Sequence, residues 1–214
     1  MYVKDIMTKN TTTIDAEESI SKALDIMSVN NYHRLPVIDE NGYLIGLLTE
    51  SIISKNTPNE ATSLSIYELN YLLNKFKVKD VMIKDVYTIH PDALLEEAAV
   101  ELRSHNIGCL PVVDENNKLI SIITHNDIFD AFVDLLGYHP NATRYVINIQ
   151  EDKPGILKDL ASVFSDNDIS IARFAVYKNV RGIELVVVTE GKKSQNIIDD
   201  LRNRNYTITD VIEL

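Results

Sequence analysis

The chain has 214 residues and carries 21 Lys+Arg against 32 Asp+Glu, a formal net charge of −11. At roughly 100–200 residues per domain this length predicts one or two domains, or three small ones, and 45% hydrophobic with 25% charged residues describes a packed globular chain and excludes wholesale disorder. Residues 1–140 hold 11 basic and 21 acidic side chains and residues 141–214 hold 10 and 11, so no segment has the basic excess that phosphate-backbone contacts need, which excludes nucleic acid as a direct partner.

Taken in chain order, the N-terminal MYVKDIMTKN has no apolar run of the signal-peptide kind. No stretch approaches the ~20 apolar residues of a membrane span. The sequence therefore reads as a cytoplasmic protein without a membrane partner. Thr12–Ile14 is predicted as a short strand. Asp15 and Glu18 have capping-box spacing before a helix whose Ile20, Ala23, Leu24 and Met27 recur at helical intervals. Leu35–Ile38 and Tyr43–Leu48 are predicted strands, joined at Asn41-Gly42, where both residues tolerate positive φ. Thr49 then opens a helix. Ser65 and Glu68 form another capping box, starting a linker helix with Ile66, Leu69, Leu72 and Leu73.

At residue 78 the pattern starts again. A shift of 75 residues, without a gap, lays Val3-Lys4-Asp5-Ile6-Met7 on Val78-Lys79-Asp80-Val81-Met82. The same shift lays Leu35-Pro36-Val37-Ile38-Asp39-Glu40-Asn41 on Leu110-Pro111-Val112-Val113-Asp114-Glu115-Asn116, and Thr49 on Thr124. Two copies are too few for a solenoid, where at least three repeats stack. A pair burying apolar faces on each other about a pseudo-two-fold axis is expected. The second copy has strands at Val86–Ile89, Leu110–Val113 and Lys118–Ile123. Past Gly137-Tyr138-His139-Pro140 the pattern changes. Strands are predicted at Arg144–Gln150, Ile169–Val176, Ile183–Thr189 and Thr207–Ile212. Helices are predicted at Ile156–Ser165, with Leu157, Leu160, Ala161 and Phe164 on one face, and at Ser194–Asn203. An Asn179–Gly182 turn joins the middle strands, and the order βαββαβ is that of a ferredoxin-like unit.

Thr124 ends a strand and begins a helix, where free backbone N–H groups favour an anion. Asp127, one turn in, can accept hydrogen bonds from ribose hydroxyls. A plain helix cap, with Asp127 favouring the dipole, explains the same residues. In the first copy Thr49 is kept but Ile52 stands where Asp127 does, so that half-site is expected to be weak or empty. Tyr32-His33-Arg34 is polar where Ile107-Gly108-Cys109 is not. Arg34 can offer a five-donor fork to phosphate, and His33 a pH-sensitive contact. Gly155, in Asp152-Lys153-Pro154-Gly155-Ile156-Leu157, permits close backbone approach to a ligand at a helix start, or simply turns the chain into the helix.

The doubled Val-Lys-Asp-hydrophobic-Met opening, the Leu-Pro-Val-hydrophobic-Asp core and the strand–Thr–helix ending resemble a tandem pair of CBS domains over residues 1–135. The Asp-x-Pro-Gly loop within βαββαβ is similar to that of ACT domains. The order CBS–CBS–ACT at this length resembles the acetoin-utilisation protein B family, whose members are regarded as regulators, some associated with acetoin catabolism. The resemblance implies an α/β (α+β) fold divided as 1–60, repeat one; 61–76, helical linker; 77–138, repeat two; and 141–214, the ACT-like domain. It also implies a homodimer or higher oligomer whose clefts take AMP, ADP, ATP or S-adenosylmethionine as regulatory ligand. By analogy Thr124 and Asp127 take ribose and phosphate, Thr88-Ile89 lines the adenine pocket, and Ile107, Gly108, Cys109 and Pro111 form its opposite wall. Thr13 and Thr49 are the first-copy counterparts. In the ACT-like domain the implied ligand residues are Asp152, Lys153, Gly155, Ile156, Asn167 and Ile169, although Ser170 replaces the Asn often found there.

The chain carries no G-x-S-x-G, H-E-x-x-H, P-loop or G-x-G-x-x-G. His33, His90, His105, His125 and His139 lack metal-ligand spacing. Cys109 is the single cysteine, which excludes an internal disulfide and a cysteine-rich zinc module, and it reads as a small core residue. No catalytic residue, catalytic cofactor or metal site is expected. Two functions remain: a ligand-sensing regulator acting by population shift, and a structural adaptor with degenerate sites that acts through dimerisation and a protein partner.

Overall fold

The computed structural model describes residues 1–56, 66–151, 153–179 and 182–214, in two compact units, Met1–Ile128 and Phe129–Leu214. The Ser65 capping position, the Glu68 side chain, Asp152 and the centre of the Asn179–Gly182 turn lie outside the described residues.

In the first unit α1 (Val3–Ile6) precedes β1 (Ile14–Asp15), α2 (Ile20–Asn30), β2 (Arg34–Ile38), β3 (Leu44–Thr49) and α3 (Glu50–Asn56). There follow α4 (Ile66–Lys75), α5 (Val78–Val81), α6 (Leu95–Ser104), β4 (Cys109–Val113), β5 (Leu119–Thr124) and α7 (His125–Leu135), which starts in the first unit and runs into the second. β1 runs parallel to β2, β2 pairs antiparallel with β3, and β4 pairs antiparallel with β5. Ile20, Ala23 and Met27 bury one face of α2 against Leu35, Val37 and Leu48. Each of the larger buried side chains contributes about 1.5–3 kcal/mol.

The two copies exchange their leading segments. Val3 N–H donates to Ala93 O at 2.9 Å, and Val78 N–H to Glu18 O at 3.0 Å. Leu95 N–H donates to Met1 O and Ile20 N–H to Phe76 O, at 3.1 and 3.0 Å. The ion pairs Lys4–Asp92 (2.7 Å) and Lys79–Glu17 (2.6 Å) obey the same 75-residue shift. The residues before each copy thus pack on the other copy, which closes the pair about its pseudo-axis.

Three local expectations need correction. The first long helix is capped by Ser19, whose Oγ accepts Lys22 N–H at 3.2 Å. Asp15 instead accepts Glu17 N–H at 2.7 Å, and Glu18 pairs with Lys22. The strand expected over Val86–Ile89 contracts to one bridge between Ile89 and Val112. The β2–β3 turn uses only Gly42 at positive φ (85°). Asp39 Oδ1 accepts Asn41 N–H and Tyr43 N–H at 2.9 and 2.8 Å, and Asp114 builds the same turn with Asn117 at φ 64°.

In the second unit β6 (Ala142–Ile149), α8 (Ile156–Asp166), β7 (Ile171–Asn179), β8 (Gly182–Glu190), α9 (Gln195–Asn203) and β9 (Thr207–Glu213) form a four-stranded antiparallel sheet in the order β7-β8-β6-β9. Tyr145, Ile147 and Ile149 alternate into a core with Leu160, Val163, Phe164, Ile197 and Leu201. The buried face of α8 is centred on Leu160, Val163 and Phe164 rather than on Leu157, which is 53% exposed. One turn of helix separates 156 from 160 and two separate it from 163, so Ile156, not Leu157, continues the stripe toward the core.

An ionic cluster ties α8 to the segment after α9. Tyr206 donates its hydroxyl to Asp159 Oδ2 at 2.7 Å, and Arg204 donates to Asp159 Oδ1 and Asp166 Oδ2, both at 2.9 Å. The Tyr206 hydroxyl, then Arg204, hold the Asp159 carboxyl below its ordinary range. Burial and the hydrogen bond to Asp159 push Tyr206 up to about 12. The depressed Asp159 contributes stability at pH above the ordinary carboxylate range and loses it on acidification. The raised Tyr206 contributes below its ordinary value of 10.0 and loses this as pH rises toward about 12. Thermal melts against pH are expected to show both limbs, and Asp159→Asn should shrink both, the acid one not to zero because Lys4 also holds Asp92 below its ordinary range.

Candidate functional site

The first unit contains a cavity of about 470 Å³, within the usual ~300–1,000 Å³ range of small-molecule sites. The start of α7 forms one wall. Asp127 Oδ2 accepts Thr124 N–H and the Thr124 hydroxyl, both at 2.7 Å, and the Thr8 hydroxyl lies 3.4 Å from each carboxylate oxygen. The cap is therefore real, yet Oδ1 keeps acceptor capacity toward the cavity. Thr8, Thr11 and Thr12 line a second wall, and Asn31 through Arg34 a third. Asn31 reaches it because it ends α2 in a left-handed conformation, φ 54°.

Arg34 starts β2 and lays its guanidinium against Gly108. A Cβ at position 108 would fall 2.8 Å from Arg34 Cζ, so the close approach requires glycine. Among the described residues Arg34 has no carboxylate partner. His33 Nδ1 sits 2.8 Å from Glu50 Oε2. Burial pushes the Cys109 thiol up against the opposing pull of Arg34, which suits a core residue and not a nucleophile.

The cavity thus brings together His33, Arg34, Gly108, Thr124 and Asp127. It does not include Thr13, Thr49, Thr88, Ile89, Ile107, Cys109 or Pro111. Thr88-Ile89 is displaced from the Asp127 wall by the exchange of leading segments: Thr8–Thr12 from the first copy covers the second copy's helix. Ile89 is buried and bonded to the β4 backbone, Pro111 O accepting its N–H at 3.0 Å. Thr8, Thr11, Asn31 and Asn126 also line it and carried no site signal in the sequence, while Tyr32 belongs to the polar strand entry singled out with His33 and Arg34.

The mirrored cleft, 75 residues away, is differently furnished. Thr49 Oγ1 accepts Ile52 N–H at 3.2 Å, and Ile52 packs into the α2 core where a carboxylate would be needed. Val86 packs against Leu47, Cys109 and Ile122, and Tyr87, the counterpart of Thr12, stacks on His105 with ring centroids 3.7 Å apart.

In the second unit Gly155 has φ 99° and open space where its side chain would be. Ile156 packs on the core, and Lys153 is exposed. Asn167 is already engaged, its amide donating to Val163 O and Asp200 Oδ2 at 2.8 and 2.9 Å. Ile169 lines a shallow cavity with Ser165 and Ser170. The N–H groups of the Asn167 amide thus tie α8 to α9. Among the described residues no group of three His, Cys, Asp or Glu is placed to hold a metal ion, and no helix is long and apolar enough to cross a membrane.

Comparison with known proteins agrees with this architecture. The CBS-domain pattern matches residues 3–56 and 78–134, together more than half of the chain, and the ACT-domain pattern matches residues 145–205. A CBS domain-containing protein of Dictyostelium discoideum is 31% identical over 136 residues, 64% of this chain and 94% of that one. The homoserine O-acetyltransferase of Methanococcus vannielii is 36% identical over 126 residues, but the match spans 59% of this chain and only 24% of the acetyltransferase. Among solved structures, the CBS pair of MJ0100 with 5′-methylthioadenosine and S-adenosyl-L-methionine is 30% identical at TM-score 0.52, over 63% of this chain and 97% of that one. CBSX2 of Arabidopsis thaliana with AMP is 30% identical at TM-score 0.52, over 62% and 96%. A Vibrio cholerae protein named AcuB, for a proposed part in acetoin utilization, is 29% identical at TM-score 0.54, over 64% and 93%. The chain belongs to the CBS-domain family, as a tandem CBS pair followed by a C-terminal ACT domain.

Proposed function

We propose that the protein is a non-catalytic regulator that senses an adenosine-containing ligand, AMP, ADP, ATP or S-adenosylmethionine, in the cavity at the start of α7. One observation carries the reading: a cavity of about 470 Å³ joins a carboxylate with a spare acceptor, Asp127, to a guanidinium that has no carboxylate partner among the described residues, Arg34. Asp127 serves the ribose hydroxyls, Tyr32 offers a face to the base, and Arg34 with His33 serves phosphate, which favours the phosphorylated compounds over a sulfonium. MJ0100 and CBSX2, similar over the same residues, were solved with adenosine compounds. The sensor acts as a homodimer that hands its state to a protein partner. The loop at Gly155 is the place for a second small molecule, such as an amino acid, in the ACT domain. The likeness to AcuB suggests acetoin catabolism as the setting.

A thermal-shift panel of AMP, ADP, ATP, S-adenosylmethionine and amino acids tests this. At 100 times its dissociation constant a ligand stabilises by about 2.7 kcal/mol, or several degrees at roughly 2–4 °C per kcal/mol for a chain of this size. No shift with any adenosine compound would overturn the sensor and leave the adaptor.

A further inference from the structure

We propose that Ser121 is the positioning residue that holds this cavity open, and that Gly46, its counterpart 75 residues earlier, lets the mirrored cleft close, so that one chain takes one ligand. The proposal rests on the reading of the cavity as a ligand site. Ser121 is 2% exposed, one of only three buried polar residues among those described. Its hydroxyl donates to Thr8 O and lies 3.2 Å from the Thr11 hydroxyl. Both partners belong to the crossed-over segment that walls the cavity.

The mirrored side shows what happens without that hydroxyl. There Leu47 and Ile83 exchange both backbone bonds, Leu47 N–H to Ile83 O and Ile83 N–H to Leu47 O, each at 2.9 Å. Their counterparts are Ile122 and Thr8. Thr8 N–H donates to Ile122 O at 3.0 Å, but the reciprocal bond from Ile122 N–H is not formed, and Thr8 O takes the Ser121 hydroxyl in its place. At position 46 a Cβ would meet Met82 Sδ at 2.5 Å and Ile83 O at 3.0 Å. The segment there lies flush on the strand because glycine has no side chain to hold it off, and Val86 drops onto Leu47 and Cys109. At position 121 a buried hydroxyl occupies that space and stands the segment away.

Amide exchange by NMR on the full chain without ligand, with AMP calorimetry on the same samples, tests the proposal. The Ile122 amide should exchange at least about tenfold faster than the Leu47 amide, the factor worth roughly one net hydrogen bond. Ser121→Gly should slow the Ile122 amide to the rate of Leu47 and weaken AMP about tenfold by the same measure. Ser121→Ala should also weaken AMP, and Ser121→Thr, which keeps the hydroxyl, should restore wild-type behaviour in both readouts. Equal protection of Ile122 and Leu47 in the wild type, or AMP binding unchanged in both Ser121→Gly and Ser121→Ala, overturns it. Failure of the wild type to bind AMP would count against the ligand reading, and the exchange comparison would still decide the role of Ser121.

Discussion

Asp127→Ala is expected to cut the stabilisation by an adenosine compound, at 100 times the wild-type dissociation constant, from about 2.7 to about 0.4–1.4 kcal/mol, whereas Ile52→Ala leaves it intact. Removing a carboxylate that accepts ribose hydroxyls forfeits charge-assisted bonds of about 1.5–3 kcal/mol, roughly ten- to a hundredfold in affinity. The variant also loses the acceptor that takes Thr124 N–H and the Thr124 hydroxyl at 2.7 Å. A cap of this kind is worth about 0.5–2 kcal/mol, so the unliganded melting temperature falls as well. The informative quantity is the difference between melts with and without ligand, which cancels the capping loss. At the mirrored position Ile52 packs into the α2 core, and trimming it lowers stability without touching the cavity. Equal ligand shifts in the two variants would show that the Asp127 wall is not where the ligand sits.

The largest stability effect is expected from Phe164→Ala. Phe164 is fully buried, with its ring edge-on to Tyr145 at 5.5 Å between centroids, in the cluster that joins both helices of the ACT unit to its sheet. Truncating a buried phenylalanine costs about 3–5 kcal/mol, and edge-to-face pairing adds to its burial. For a unit of this size that is a fall on the order of 4–8 °C per kcal/mol, enough to unfold residues 129–214 near physiological temperature. The adenosine response should survive, because every residue lining the cavity lies within Met1–Ile128. Calorimetry with and without AMP checks both halves of the expectation. Loss of the AMP response in a variant whose first unit still melts cooperatively would place part of the ligand site in the ACT domain.

Much of the fold was legible because periodicity and repetition survive packing. Ile20, Ala23 and Met27 recur at helical spacing and are all buried, and Tyr145, Ile147 and Ile149 alternate as a one-sided strand must. The 75-residue shift even carries hydrogen bonds and ion pairs from one copy to the other. What it does not disclose is which copy a leading segment packs on, since a repeat reads identically whether its segments stay or cross. The cavity accordingly takes Thr8, Thr11 and Thr12 from the first copy beside Asp127 of the second, a pairing the repeat does not reveal. Arg34 stood out as a charge at a strand entry, and the structure lays its guanidinium against Gly108, a contact between copies that the sequence does not show. In the ACT domain the partner of the Asn167 amide is a tertiary matter that the sequence does not show: Asp200, 33 residues on, accepts its N–H.

The central claim is a single adenosine site per chain, and isothermal titration of the 214-residue chain with AMP measures it most directly. One ligand per chain, weakened in Asp127→Ala and kept in Ile52→Ala, is the predicted result. Two ligands per chain, or no heat with AMP, ADP, ATP or S-adenosylmethionine, would contradict it.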